Sequence, residues 1–95
     1  MSVLIVDLDV RAGAEDTLQS TYVSEFRPAI SSQPGFEGVD LLRPADGNGH
    51  WRLEIRFADE PARLRWVETD VHQRVWPLMG NCCDEATPVV YEPVS

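Results

Sequence analysis

Residues 36–58, FEGVDLLRPADGNGHWRLEIRFA, decide how the rest of the chain is read. The second half alternates. Trp51, Leu53, Ile55 and Phe57 fall on one side, and Arg52, Glu54 and Arg56 on the other. A period of two marks a strand with one buried face, and the spacing predicts it over residues 50–58. Residues 36–44 read as a second strand. The segment Ala45-Asp46-Gly47-Asn48-Gly49 between them is dense in turn residues, so the two strands form an antiparallel hairpin.

On either side of the hairpin the pattern changes to that of a helix. Upstream, Leu18, Tyr22, Phe26 and Ala29 form an apolar stripe over residues 15–32. Pro28 lies inside it and is expected to kink or loosen the last turn, and Gln33-Pro34-Gly35 stops it. Downstream, Asp59-Glu60-Pro61 opens a second helix with acids and proline where the first turn favours them. One continuous helix is expected to about Met79, with Leu64, Val67, Val71, Val75 and Leu78 as its apolar stripe. Pro77 should disturb its last turn, and Gly80-Asn81 cap it. Trp66 lies roughly 140° from the centre of that stripe at 100° per residue. It therefore packs on a partner, packs on the C-terminal segment, or reports a bend. At the ends of the chain, residues 3–11 alternate Val6, Leu8 and Val10 against Asp7, Asp9 and Arg11, and residues 87–91 read as a β-branched and aromatic strand.

The order is βαββαβ, which predicts an α+β ferredoxin-like sandwich: a four-stranded antiparallel sheet with both helices on one face. Ninety-five residues leave room for a single domain, residues 1–95. The second sheet face, carrying Asp7, Asp9, Arg52, Glu54 and Arg56, has no helix of its own to cover it. A small domain with an uncovered sheet face is expected to be a homodimer, its mixed charges pairing across or around the interface.

Composition narrows the function. Sixteen acidic residues against eight basic ones give a net charge of −8. That argues against nucleic acid, which needs clustered cations, and against anionic membrane surfaces. No apolar run approaches the ~20 residues of a membrane span. The N-terminus lacks a basic signal region, so a cytoplasmic address is the default expectation. The only cysteines, Cys82 and Cys83, are adjacent. Their place after a helix C-terminus does not activate a thiol, and vicinal disulfides are strained. With His50 and His72 the only histidines, no metal-ligand spacing is present. No glycine-rich strand–helix turn marks a nucleotide cofactor either.

Chemistry-bearing candidates lie on the faces that meet between helices and sheet. Tyr22 sits on the first stripe, where a buried phenol needs a hydrogen-bond partner; it either contacts a substrate oxygen or bonds backbone. His72 lies at the edge of the second stripe, with Trp76 one turn later, and an imidazole there can act as general acid or base near neutral pH. Phe26, Trp51, Phe57, Trp66 and Trp76 are the candidate substrate-binding residues, an aromatic lining for a flat ligand or plain core. Glu25 flanks the first stripe and can orient Tyr22 or His72 or stay solvated. His50, beside the hairpin, reads as a surface residue.

The segments Pro34-Gly35-Phe36, Leu42-Arg43-Pro44, Arg56-Phe57 and Trp66 followed by Glu68-Thr69-Asp70 resemble recurring motifs of the antibiotic biosynthesis monooxygenase family, over nearly the whole chain. The resemblance implies a dimeric α+β barrel, two sheets packed face to face, with a ligand cavity between helices and sheet in each protomer. Its haem-degrading branch is similar at Trp66 and Asp70-Val71, but the iron-ligand histidine of that branch falls on Trp76 and its first-strand asparagine on Val6. The asparagine and tryptophan of the cofactor-free oxygenases fall nearest Leu53 and Phe57. The expected function is a cofactor-independent enzyme acting on a hydrophobic aromatic or polyketide-like small molecule. It would be an oxygenase, or a cyclase or isomerase working by acid–base chemistry, in secondary metabolism. The alternative is a non-catalytic binding or accessory module on the same dimeric fold.

Overall fold

A computed structural model describes residues 1–94; Ser95, the last residue of the expected domain, lies outside the described residues. The strands are β1 (Ser2–Val10), β2 (Phe36–Leu42), β3 (Trp51–Phe57) and β4 (Cys83–Tyr91). They form one sheet in the order β2-β3-β1-β4, every neighbouring pair antiparallel. The expected ferredoxin-like architecture is present. β4 begins at Cys83, four residues before the expected start, because its polar first half pairs with the end of β1. The hairpin turn uses two glycines at positive φ, Gly47 at 82° and Gly49 at 97°, a region closed to most side chains. Gly47 N–H donates to the Pro44 carbonyl, and the Asp46 carboxylate accepts from Asn48 N–H.

Register sets which side chains face the helices. Val6 pairs with Leu53 on one side and Pro88 on the other, and Leu4 pairs with Ile55. Even positions of β1 and odd positions of β3 therefore share the helix-covered face. Leu8, Leu53 and Phe57 are fully buried there.

The first helical stretch is three joined pieces: α1 (Glu15–Thr21), a π-helical turn (Tyr22–Phe26) and α2 (Arg27–Ser31). Pro28 has no N–H for the Ser24 carbonyl and its ring crowds that group. The wider π turn just ahead of it relieves the conflict. It also serves packing. Leu18, Tyr22, Phe26 and Ile30 are all buried, yet steps of four residues drift by about 40° each in a regular α-helix. A π turn takes up part of that drift and keeps all four on the sheet.

The expected single second helix is two: α3 (Glu60–Glu68) and α4 (Asp70–Gly80), broken at Thr69, whose backbone is extended at φ −71°, ψ 149°. Asp59 caps α3 through its carboxylate, which accepts from Ala62 N–H. The Thr69 hydroxyl serves both helix ends at the break. It accepts from His72 N–H at 3.1 Å and donates to the Trp66 carbonyl at 2.7 Å. The break corrects the stripe drawn through an unbroken helix. Leu64 and Leu78 are exposed, while Ala62 and Trp66 of α3 and Val75 and Met79 of α4 face the core. α4 continues through Pro77 to Gly80, so that proline leaves its final turn intact.

Gly35 joins α2 to β2 at φ +80°, and a Cβ there would lie 2.7 Å from the Ala62 Cβ. Loop and α3 therefore touch only because residue 35 has no side chain. On the outer sheet face, Arg52 pairs with Asp7 and Arg56 with Asp40, each at 3.2 Å. These charges are matched within the chain. Among the described residues, no helix is long and apolar enough to cross a membrane.

Candidate functional site

A cavity of about 270 Å³ lies between the helices and the sheet. Its floor is Leu4 and Val6 of β1, Leu53 and Ile55 of β3, and Ala86 and Pro88 of β4. Its roof is Phe26 from the π turn, Trp66 and Val67 from α3, and His72 and Trp76 from α4. The break at Thr69 makes this roof. It turns Trp66 inward at the end of α3 and restarts the chain so that His72 and Trp76 follow on the same cavity. On one straight helix, Trp66 and the other buried residues would face apart.

The aromatic groups hold one another edge to face. Phe26 meets Trp66 at 6.0 Å between ring centroids and Trp76 at 6.4 Å, and Trp66 meets the His72 ring at 5.0 Å, nearly perpendicular. Such arrangements suit the ring quadrupoles. Among the described residues on the wall, His72 is the one ionisable side chain. Burial pushes its imidazole below the ordinary histidine range, because a partly desolvated cation is disfavoured. Burial therefore favours the neutral ring.

Four of the seven sequence candidates meet here: Phe26, Trp66, His72 and Trp76. Three lie elsewhere. The Tyr22 hydroxyl donates to the Val39 carbonyl at 3.3 Å, its ring stacks on Phe26, and Arg27 lies over it at 5.6 Å. Burial, partly offset by Arg27, raises its phenol. Trp51 and Phe57 occupy opposite ends of β3, and the cavity lies over Leu53 and Ile55 between them. Phe57 is fully buried, edge to face with Phe36 at 6.0 Å. Glu25 pairs with Arg74 at 3.1 Å on the surface. Cys82 and Cys83 are free and buried, and desolvation raises the Cys83 thiol.

The aromatic candidates left out most of the aliphatic lining. Leu4, Val6, Ile55, Val67, Ala86 and Pro88 carry no chemical signal. Strand parity, available in β1 and β3, would have found the first three.

The class these features define is a small α+β sandwich with an apolar, aromatic-walled cavity under its helices. The family model for antibiotic biosynthesis monooxygenases matches residues 1–76, and the chain belongs to that family. A solved structure from Nitrosomonas europaea assigned to antibiotic biosynthesis monooxygenases is similar over 100% of both chains, with TM-score 0.84 and 19% identity. SnoaB, a cofactor-independent oxygenase from Streptomyces nogalater solved as a point mutant, has TM-score 0.86 and 14% identity, covering 99% of this chain and 93% of its own. MhuD, solved as a mutant with two manganese protoporphyrin IX per active site, has TM-score 0.82 and 24% identity, covering 100% of this chain and 96% of its own. At these identities the likeness shows the fold. A curated relative, the haemagglutinin glycoprotein of Rinderpest virus (strain L), is 43% identical over 44 residues. That covers 46% of this chain and spans 7% of the viral protein, which shows neither a common fold nor a common activity.

The cavity wall does not fit a haem. Among its described residues there is no arginine or lysine to pair with porphyrin carboxylates. Val6 and Trp76, the positions corresponding to the haem branch's asparagine and iron-ligand histidine, both line the cavity and offer no iron ligand. Leu53, nearest the oxygenase asparagine, lines it too.

Proposed function

We propose that this chain is a cofactor-independent oxygenase of a small, neutral, electron-rich aromatic. The observation that carries the reading is an apolar cavity walled by Phe26, Trp66 and Trp76, with His72 as its one ionisable group among the described residues. A void of about 150 Å³ with an apolar wall takes up benzene, so about 270 Å³ suits roughly two fused rings. The wall has no fixed charge and the protein carries −8 overall, which disfavours anionic ligands.

A hydroxyaromatic supplies its own reducing power. Its electron-rich ring carbon bonds one atom of O₂ to give a peroxide. The phenolic proton passes to the outer peroxide oxygen; the O–O bond then breaks as the same carbon loses its C–H proton, which leaves a ring carbonyl with one oxygen in the product and the other in water. The protein holds the ring, excludes solvent and gives His72 as the group that hydrogen-bonds the substrate oxygen as negative charge develops on it. With 1-naphthol as probe the balance is one O₂ consumed for one 1,4-naphthoquinone and one water.

Oxygen uptake with 1-naphthol, with the quinone followed by absorbance, tests the reading. A preorganised donor at a developing oxyanion contributes about 10²–10³-fold, so His72→Ala loses about that much turnover. Tyr22→Phe, whose hydroxyl bonds backbone here, loses far less. Uptake no faster than in buffer, for 1-naphthol and similar two-ring phenols, sinks the oxygenase. Ligand retained in native mass spectrometry without turnover would leave the binding module. The same spectrum reports the homodimer we infer from the outer sheet face, where Leu42, Val89 and Tyr91 are exposed. A face of four strands can bury the ~1,200 Å² that stable interfaces need.

A further inference from the structure

His72 has a neighbour that the proposed chemistry does not yet use. Gln73 reaches back across the helix break, and its side-chain Nε2 donates to the Val67 carbonyl at 2.9 Å. Val67 lies in the last turn of α3, where carbonyls lack helical partners. A carbonyl only accepts, so this bond fixes which end of the Gln73 amide is nitrogen, an assignment otherwise left open. The same Nε2 lies 3.5 Å from His72 Nδ1. An amide nitrogen has two N–H donors and no acceptor. One is taken by Val67, and the other is left to face the imidazole. Nδ1 can meet it only as a lone pair.

We propose that Gln73 is a positioning residue that holds His72 with Nδ1 unprotonated, so that the imidazole presents its Nε2–H to the cavity as a hydrogen-bond donor. Three further observations agree. The Nδ1 contact lies on the exposed side, while His72 also lines the cavity. The ring is clamped edge to face against Trp66 at 5.0 Å, and its own backbone N–H is tied to Thr69. Thr69 thereby fixes the backbone, and Gln73 and Trp66 restrain the ring. A histidine that binds metal through Nε2 needs the opposite arrangement, with Nδ1–H donating to a carbonyl or carboxylate. Here Nδ1 faces a donor. The site thus takes a neutral ligand with an acceptor oxygen, a ring carbonyl or phenol, and binds it more strongly as negative charge builds there.

This inference rests on the proposed use of His72, and its test separates the two. Nitrogen-15 shifts of the His72 ring at neutral pH read the tautomer without any substrate. The expected result is a single Nε2–H form in the wild-type protein. Gln73→Glu keeps the shape but replaces the donor by an acceptor. It should move the proton to Nδ1 and raise the imidazole pKa, and Gln73→Met should give a mixture. A wild-type ring that is mixed or protonated at Nδ1, or a Gln73→Glu ring that keeps Nε2–H, overturns the proposal. A role confined to joining α3 and α4 would change stability and leave the tautomer alone.

Ligand preference is the second reading. Quenching of Trp66 and Trp76 fluorescence should show 1-tetralone binding about five- to tenfold tighter than tetralin, which has the same rings without oxygen; that is the yield of one neutral hydrogen bond. Gln73→Glu should erase the difference. Equal binding of the two compounds counts against the donor assignment. If neither binds while the tautomer behaves as expected, the proposed function fails and the Gln73 assignment stands.

Discussion

Replacing Thr69 by valine tests the helix break that builds the cavity roof. The two side chains have nearly the same shape, and the extended backbone at Thr69, φ −71° and ψ 149°, suits a β-branched residue. The substitution therefore removes the hydroxyl and little else. Two bonds go with it, the cap on His72 N–H and the donation to the Trp66 carbonyl. Loss of an N-cap costs about 1 kcal/mol. The second bond is part-buried, and its carbonyl keeps a backbone partner in Thr69 N–H at 3.1 Å, so its loss adds roughly 0.5 kcal/mol. A total of about 1.5 kcal/mol corresponds to a melting point lower by roughly 6–12 °C in a domain this size. Thermal melts by circular dichroism, with urea titration for the free energy, read this directly. Thr69→Ser keeps the hydroxyl and should lose less than half as much. Trp66 emission should shift in Thr69→Val and stay put in Thr69→Ser. If valine and serine prove equally stable, the hydroxyl does not hold the break, and the account of how Trp66 and His72 come to share one cavity is wrong.

Gly35→Ala should destabilise the fold by about 3 kcal/mol, combining left-handed backbone strain with overpacking against the Ala62 Cβ at 2.7 Å; urea denaturation checks it, and a loss under about 1 kcal/mol would refute that account of the loop. The lowered His72 pKa makes stability pH-dependent with a definite sign. Its unfolded state binds a proton first, so the contribution is complete above about pH 6.5 and is lost as pH falls through the folded-state value. Wild-type protein should therefore lose more stability than His72→Gln between about pH 7.5 and 5, and parallel curves would contradict the shift. The wall chemistry predicts no saturable Soret shift on haem titration. A tight one-to-one spectrum abolished by His72→Ala would show that the cavity opens further than its 270 Å³.

Local chemistry was enough for the fold. Alternation in residues 50–58, the glycine-rich turn before it and two helical segments led to βαββαβ, since period and turn residues are properties of short segments. Pro28 was legible as a disturbance, though its form, a π turn that keeps Leu18, Tyr22, Phe26 and Ile30 on the sheet, depends on what lies beneath. Thr69 was not legible as a break. No glycine or proline marks it, and its hydroxyl caps a helix only once the chain has turned there. With the break unseen, Trp66 stood on the wrong side of a straight helix, and Leu64 and Leu78 looked buried. The site divides in the same way. His72 and the aromatics Phe26, Trp66 and Trp76 advertise themselves by residue type. That Tyr22 reaches Val39 instead of the cavity, and that Trp51 and Phe57 lie to either side of it, depends on strand register and helix placement. Those are set by packing between segments far apart in sequence, and no local pattern encodes them.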